Sequence, residues 1–223
     1  MQSKYKPECG DGSHGGSRFV KELYDFLEPT GLTLDCGSGI GSKTIFMKSK
    51  GIEVVSIDID FRSLRNLAED GPGSIICGDV QYLPFKDNIF DSVMCSEVLE
   101  HLPYPELCIN EVYRVTKKNG VGVFTTPVFN LHYKILIKIF RKICGIEKDK
   151  SHLHVFSILS LNKLISKYFI IDYILHRGYT EILVIKFGLD KNGTFDKKLV
   201  VLSKKLPFIK LLSSKVWVRV RKE

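Results

Sequence analysis

Long uncharged apolar runs are missing from this 223-residue chain, so no segment has the length of a membrane-spanning helix. A CxxC pair is missing too, although six cysteines are present, at positions 9, 36, 77, 95, 108 and 144. That absence removes zinc ribbons and thioredoxin-like redox motifs from consideration. The first sixteen residues are polar and glycine-rich and have no apolar core of a secretory signal. A disulfide framework is therefore not expected, and the reading is a cytoplasmic protein in a reducing compartment. Internal repeats and low-complexity tracts are also lacking, which excludes a solenoid. What remains is an ordinary globular composition, with 44% hydrophobic and 26% charged residues.

Acidic excess is confined to one part of the chain. Residues 1–129 carry 13 Lys+Arg against 18 Asp+Glu, whereas residues 130–223 carry 20 against 7. The net charge of +8 is thus a charge of −5 beside one of +13. A strong positive field draws anionic partners; a solvated basic face without a partner is the alternative.

Apolar periodicity predicts an alternation of strands and helices. A helix over 18–27 is closed by Pro29 and Gly31. Strands are predicted at 32–35, 53–58, 73–77, 91–95 and 121–125, and helices at 42–50, 62–69 and 105–115. The Lys117-Lys118-Asn119-Gly120 run reads as the stop signal of the last of these helices. Alternation of this kind implies a parallel sheet covered on both faces. Beyond Pro127, helices are predicted at 131–144 and 159–168 and strands at 169–175 and 216–220. Residues 179–214 stay ambiguous between a strand near 182–187 and a helix near 206–212. One domain over 1–223 is expected, with a flexible 1–17, a cofactor-binding part over 18–128 and a basic, substrate-side part over 129–223.

The chemistry concentrates where strand 32–35 runs into Asp35-Cys36-Gly37-Ser38-Gly39-Ile40-Gly41. Glycines at a strand-to-helix turn let the backbone bend tightly and approach a ligand. The spacing here is GxGxG, tighter than the run that seats a dinucleotide pyrophosphate on a helix N-terminus. It suits a nucleoside without phosphates. Asp58 ends the next strand about 20 residues on, where a carboxylate accepts from ribose hydroxyls. Asp79 follows the third strand and can accept from an exocyclic amine, while the Val80 N–H can donate to a purine ring nitrogen. Three successive strand ends thus address one crevice of an open α/β sheet.

These residues resemble the class I S-adenosylmethionine methyltransferases, and within them the ubiquinone and menaquinone biosynthesis group (methyltransferase type 11). The matching blocks are LDCGSGIG (34–41), VVSIDID (54–60), GDVQYLPFKDNIFDSV (78–93), SEVLEHL (96–102) and EVYRVTKKNGVGVFTTP (111–127). The resemblance implies a Rossmann-like three-layer sandwich around a seven-stranded, mostly parallel sheet whose last strand, 216–220, is antiparallel and enters by a hairpin. It implies S-adenosyl-L-methionine as cofactor, with Asp35, Gly37 and Gly39 around the methionine moiety, Asp58 at the ribose, and Asp79 and Val80 at the adenine, and with Ile59 a further cofactor-binding residue. Ser96 and Glu97 would line the floor of the site, and His101 would face the substrate. Cys36 and Ser38 stand where the family often has an apolar residue and a cysteine.

His101 is the candidate general base for an acidic acceptor; its alternative is a structural bond to the loop before Pro103. His152 and His154 share one face if their segment is extended and are candidates for the substrate pocket or for a plain loop. No third ligand accompanies them, so no metal is expected. In the predicted helix 131–144, Lys134, Lys138, Arg141 and Lys142 fall on one arc and aliphatic and aromatic residues fill the rest. A lid over an apolar substrate, a homodimer contact and a helix lying on an anionic membrane all fit that pattern; a helix buried by the segments that follow it is the alternative. Nucleic acid fits the basic half less well, because its cations alternate with aliphatics rather than with stacking aromatics. The amine-methylating signature Asn/Asp-Pro-Pro-aromatic is replaced by Ser96-Glu97-Val98-Leu99. The expected activity is methyl transfer to oxygen or carbon of a small or lipid-linked acceptor. An RNA-directed enzyme and a cofactor-binding module without catalysis are the alternatives.

Overall fold

A computed structural model describes residues 17–69, 74–128, 153–177 and 214–223. The expected flexible N-terminus, the helix predicted at 131–144, His152 and the ambiguous stretch 179–213 lie outside the described residues. In chain order the elements are α1 (Ser17–Leu27), β1 (Leu32–Cys36), α2 (Ser42–Ser49), β2 (Glu53–Asp58), α3 (Phe61–Glu69), β3 (Ser74–Cys77), β4 (Phe90–Ser96), α4 (Pro105–Val115), β5 (Thr116–Pro127), α5 (Ile158–Ile165), β6 (Ile170–Arg177) and β7 (Lys215–Arg221).

The strands form one seven-stranded sheet in the order β3-β2-β1-β4-β5-β7-β6. The pairs β1–β2, β1–β4, β2–β3 and β4–β5 are parallel. β7 runs antiparallel to both its neighbours, β5 and β6. The predicted antiparallel last strand is therefore present, inserted between two strands that run the other way; the connection that would form its hairpin lies outside the described residues.

Strand alternation sorts the core into two layers. Met94, Val123 and Trp217 pack with Leu23 and Leu27 of α1 and Met47 of α2. Their chain neighbours Val93, Cys95, Phe124, Val216 and Val218 point to the other face, onto Cys108, Ile109 and Val112 of α4 and Leu161 and Ile165 of α5. Trp217 is the largest side chain of the first layer, with Phe19 and Phe26 edge-on at 5.4 and 5.7 Å. In the second layer α5 begins with a capping box between Ser157 and Ser160, which satisfies the first free N–H groups of the helix.

One local reading is corrected. Lys117-Lys118-Asn119-Gly120 does not end α4 in a turn, because the helix closes at Val115 and β5 starts at Thr116. The four residues instead make an irregularity inside the ladder, where the pairing jumps from Phe90–Thr116 to Ser92–Val121. Asn119 takes φ +62° there, and its N–H donates to the Lys222 carbonyl at 2.9 Å. A turn signal in sequence is thus absorbed as a bulge, because Lys222, just past β7, supplies partners for the displaced backbone of Asn119 and Gly120.

Candidate active site

The sheet reverses its winding between β1 and β4, and at the carboxyl ends of these strands lies a cavity of about 600 Å³, a size typical of cofactor sites. Gly37, Gly39, Asp58, Ile59, Asp79 and Val80 line it. So do Ser96, Glu97 and His101, nearer the β4 side. Nine of the twelve residues singled out from sequence therefore meet in one cavity. Asp35 lies just beneath it and His154 beside it; His152 is outside the described residues.

The glycine turn is built by backbone demand. Gly37 has φ +75°, and a Cβ there would collide with Val98 Cγ2. Gly39 has φ +54°, yet a Cβ there would meet nothing within 4 Å: its bare backbone faces open cavity. The turn is tied to β2 by the Gly37 and Ser38 N–H groups, which both donate to the Ile57 carbonyl, at 2.8 and 3.0 Å. The Gly39 N–H donates to Asp58 Oδ2 at 2.7 Å. Asp58 Oδ1 accepts the Asp60 N–H at 2.9 Å. The Asp58 carboxylate thus clamps the glycine turn as well as standing at the end of β2, and an ionised carboxylate has lone pairs left for a ligand.

Asp79 is held the same way. Its Oδ1 accepts the Gln81 N–H at 2.9 Å, and the Gln81 amide donates to both carboxylate oxygens at 3.1 and 3.0 Å. Gln81 Oε1 in turn accepts the Tyr104 N–H, so one side chain fixes the acid and anchors the chain entering α4. Gln81 was not singled out from sequence, since an amide two residues past a strand end carries no signal of its own.

Beneath the glycine turn Asp35 is fully buried. Its Oδ2 accepts the Thr44 hydroxyl at 2.7 Å, and Lys43 Nζ lies 3.8 Å from Oδ1. Burial pushes the Asp35 carboxyl above its usual range, opposed by the Lys43 ammonium. Lys43 itself lines the cavity and is nearly buried. Ser38 also lines it, and its buried hydroxyl has no partner among the described residues. A buried cation and an orphan hydroxyl fit the carboxylate and ammonium of an amino-acid moiety, while Asp58 and Asp79 fit a nucleoside. The donor set fits a nucleoside-linked amino acid, and among the described residues lining the cavity Lys43 is the only lysine or arginine, short of the cation cluster that suits a pyrophosphate.

On the β4 side, Glu97 takes φ +57°. It accepts the Thr125 hydroxyl at 3.0 Å and pairs with Lys215 of β7 at 3.3 Å. Glu100, one turn on in the 3-10 helix Leu99–His101, is buried. It accepts the Thr126 hydroxyl at 2.9 Å and lies 4.0 Å from His101 Nε2. Burial, and then the neighbouring Glu97 charge, push the Glu100 carboxyl up to about 8, so it holds its proton at neutral pH. The Glu100 carbonyl accepts the N–H groups of Leu153 and His154 at 2.8 and 3.0 Å. His154 Nε2 reaches the Pro103 carbonyl at 3.2 Å, and its ring stacks on Phe156 at 5.9 Å. His154 thus straps segment 153–156 to the loop at the cavity wall.

Residues 34–124 match the family model described as a methyltransferase domain. The demethylmenaquinone methyltransferase of Renibacterium salmoninarum is 34% identical over 100 residues, 43% of this chain and 42% of that enzyme. The chain spans about two fifths of the length of the first curated relatives it matches, between 34% and 42%. Among solved structures, an S-adenosylmethionine-dependent methyltransferase from Archaeoglobus fulgidus superposes with a TM-score of 0.65 at 19% identity, over 92% of both chains. Phosphoethanolamine N-methyltransferase 2 from Haemonchus contortus, in complex with S-adenosyl-L-methionine, superposes with a TM-score of 0.65 at 18% identity, over 94% of this chain and 53% of that one.

Proposed function

We propose that the protein transfers a methyl group from S-adenosylmethionine to oxygen or carbon of a small or lipid-linked acceptor, because residues 34–124 match the family model described as a methyltransferase domain and the sheet has the fold of solved methyltransferases. The observation that carries this reading is the single cavity in which the glycine turn, Asp58, Asp79 and the Glu97–His101 segment converge.

When bound, the cofactor supplies an electrophilic methyl group on a sulfonium. Asp58 would hold the ribose hydroxyls, Asp79 and the Val80 N–H would hold the adenine, and Lys43, Ser38 and the glycine backbone would hold the methionine end. A cofactor held in this way would direct its methyl group toward the side of the cavity lined by Ser96, Glu97 and His101. Methyl transfer needs little acid–base help once the acceptor is nucleophilic, and near-attack positioning can supply about 7–11 kcal/mol of the barrier. His101 lines the cavity and is the candidate to accept the proton of an acidic acceptor; the buried Glu100 carboxyl lies 4.0 Å from its Nε2.

Two features support an oxygen or carbon acceptor: the Ser96-Glu97-Val98-Leu99 sequence in place of an amine-methylating signature, and relatives named demethylmenaquinone methyltransferase. The +13 charge of residues 130–223 favours an acceptor with an anionic head or one delivered from an anionic surface. Among the described residues no helix is long and apolar enough to cross a membrane. The test is a screen of isoprenoid phenols, glycans and RNA with methyl-labelled cofactor, preceded by calorimetry with S-adenosylhomocysteine and NAD. Label on an isoprenoid phenol is the expected outcome. Label on RNA would identify an RNA-directed enzyme, and tight S-adenosylhomocysteine binding without transfer to any class would leave a cofactor-binding module. Tighter binding of NAD than of S-adenosylhomocysteine would overturn the cofactor assignment.

A further inference from the structure

Three cysteines converge behind the cofactor turn. Cys36 ends β1, Cys95 lies beside it on β4 as its register partner, and Cys108 faces both from α4. All three are fully buried, and their sulfurs lie within 4.8 Å of one another. Each is a free thiol. Among the described residues no other group of histidine, cysteine or carboxylate side chains converges as closely.

We propose that Cys36, Cys95 and Cys108 form a three-sulfur site for a soft, thiophilic ion, Cu(I). A metal–sulfur bond of about 2.3 Å around a trigonal centre separates the sulfurs by about 4 Å, so the trio needs only a small contraction. Soft sulfur ligands select Cu(I) over the harder divalent ions. Structural zinc instead demands four tetrahedral ligands. Here the three cysteines belong to one apolar cluster with Leu34, Val93, Ile109 and Val112, and among the described residues no fourth ligand converges with them. Ligation exchanges thiol protons, released to solvent, for the ion, and changes no oxidation state. Cys36 and Cys95 immediately precede Gly37 and Ser96, which line the cofactor cavity. A bound ion would therefore pin the two strand ends that carry the site, independently of which acceptor the enzyme methylates.

The test uses the full chain, reduced and anaerobic, titrated with Cu(I) against a bathocuproine competitor. The readouts are retained copper per chain, the ultraviolet thiolate-to-copper band and the melting temperature. The decisive variant is Cys9→Ser/Cys77→Ser/Cys144→Ser, which leaves the buried trio intact. It is expected to retain one Cu(I) per chain and to melt higher with the ion than without it, while Zn(II) gives neither effect. Cys36→Ala/Cys95→Ala/Cys108→Ala is expected to retain none. Should the first variant bind no Cu(I), or the second still bind it, the trio is core packing alone and the proposal fails. Because the first variant leaves Cys36, Cys95 and Cys108 unchanged, its result does not depend on whether the second one folds.

Discussion

Gly37 and Gly39 look alike in sequence and differ in what surrounds them. An alanine at either must hold a positive φ, which costs roughly 1–2 kcal/mol. At position 37 the new methyl also drives into β-branched, nearly buried Val98, so Gly37→Ala should lower the melting temperature and disturb the turn even without ligand. At position 39 the methyl enters open cavity. Gly39→Ala should melt only slightly below the parent yet bind S-adenosylhomocysteine much more weakly. Thermal melts beside calorimetry separate the two, and equal losses of affinity and stability at position 39 would mean that its backbone does not face the ligand. Asp58 carries a second test. Asp58→Ala should weaken S-adenosylhomocysteine binding by about 1.5–3 kcal/mol, the range for bonds to a charged group. Asp58→Asn keeps an acceptor for the Gly39 N–H and should lose less. If Asp58→Ala binds like the parent, the carboxylate serves the turn and not the ribose.

The elements of the cofactor half were legible because their signals are local: a strand ends, glycines follow, a carboxylate ends the next strand. Lys43, Ser38 and Gln81 were not, since each matters only through a partner the fold brings to it. The same holds for the three cysteines, which read singly as small hydrophobes and meet only when β1, β4 and α4 pack. Glu100 shows the limit most clearly, because SEVLEHL gives no sign which of its two glutamates is buried. In the folded chain the Glu100 carboxyl is pushed up to about 8, from an ordinary value of 4.5, by burial and then by Glu97. Between those values the folded chain holds a proton that the unfolded chain has released, so stability falls as pH rises through that window. The groups facing it are Glu97, His101 and the Thr126 hydroxyl. Glu100→Gln keeps the neutral shape and an acceptor for Thr126. It should flatten this decline and melt above the parent at about pH 8 and higher, with little difference near about pH 5. A parent and variant with parallel melting curves across that range would show that Glu100 is ionised in the fold.

At the scale of the molecule, the two halves of opposite charge are complementary where they are described. Lys167 pairs with Glu106, Arg177 with Glu22, Lys215 with Glu97 and Arg219 with Glu28. Lys222 is engaged by the Asn88 side chain and by the backbone carbonyls of Tyr113 and Thr116. Much of the basic excess of β6 and β7 is thus spent on the acidic half. Segments 129–152 and 178–213 together hold 13 Lys+Arg against 5 Asp+Glu, an excess equal to the whole chain's +8. The net positive charge therefore resides in those two segments, where the spacing of Lys134, Lys138, Arg141 and Lys142 predicts one helical arc and Lys204, Lys205 and Lys210 interleave with aliphatics in sequence. β5 ends on the side of the sheet where the cavity lies, and the first segment follows it in sequence, so a surface bound by that segment is expected to present its lipids to the site. A surface cation near an anionic membrane is worth about 1 kcal/mol, and four of them should dominate the binding. Changing Lys134, Lys138, Arg141 and Lys142 to Gln should release the protein from phosphatidylserine vesicles at low salt and leave S-adenosylhomocysteine affinity unchanged. Raising the salt should release the parent in the same way, by screening. A parent that does not co-sediment with such vesicles at low salt would refute the membrane role and leave that arc to a lid or to a second copy of the chain, which sedimentation velocity would distinguish.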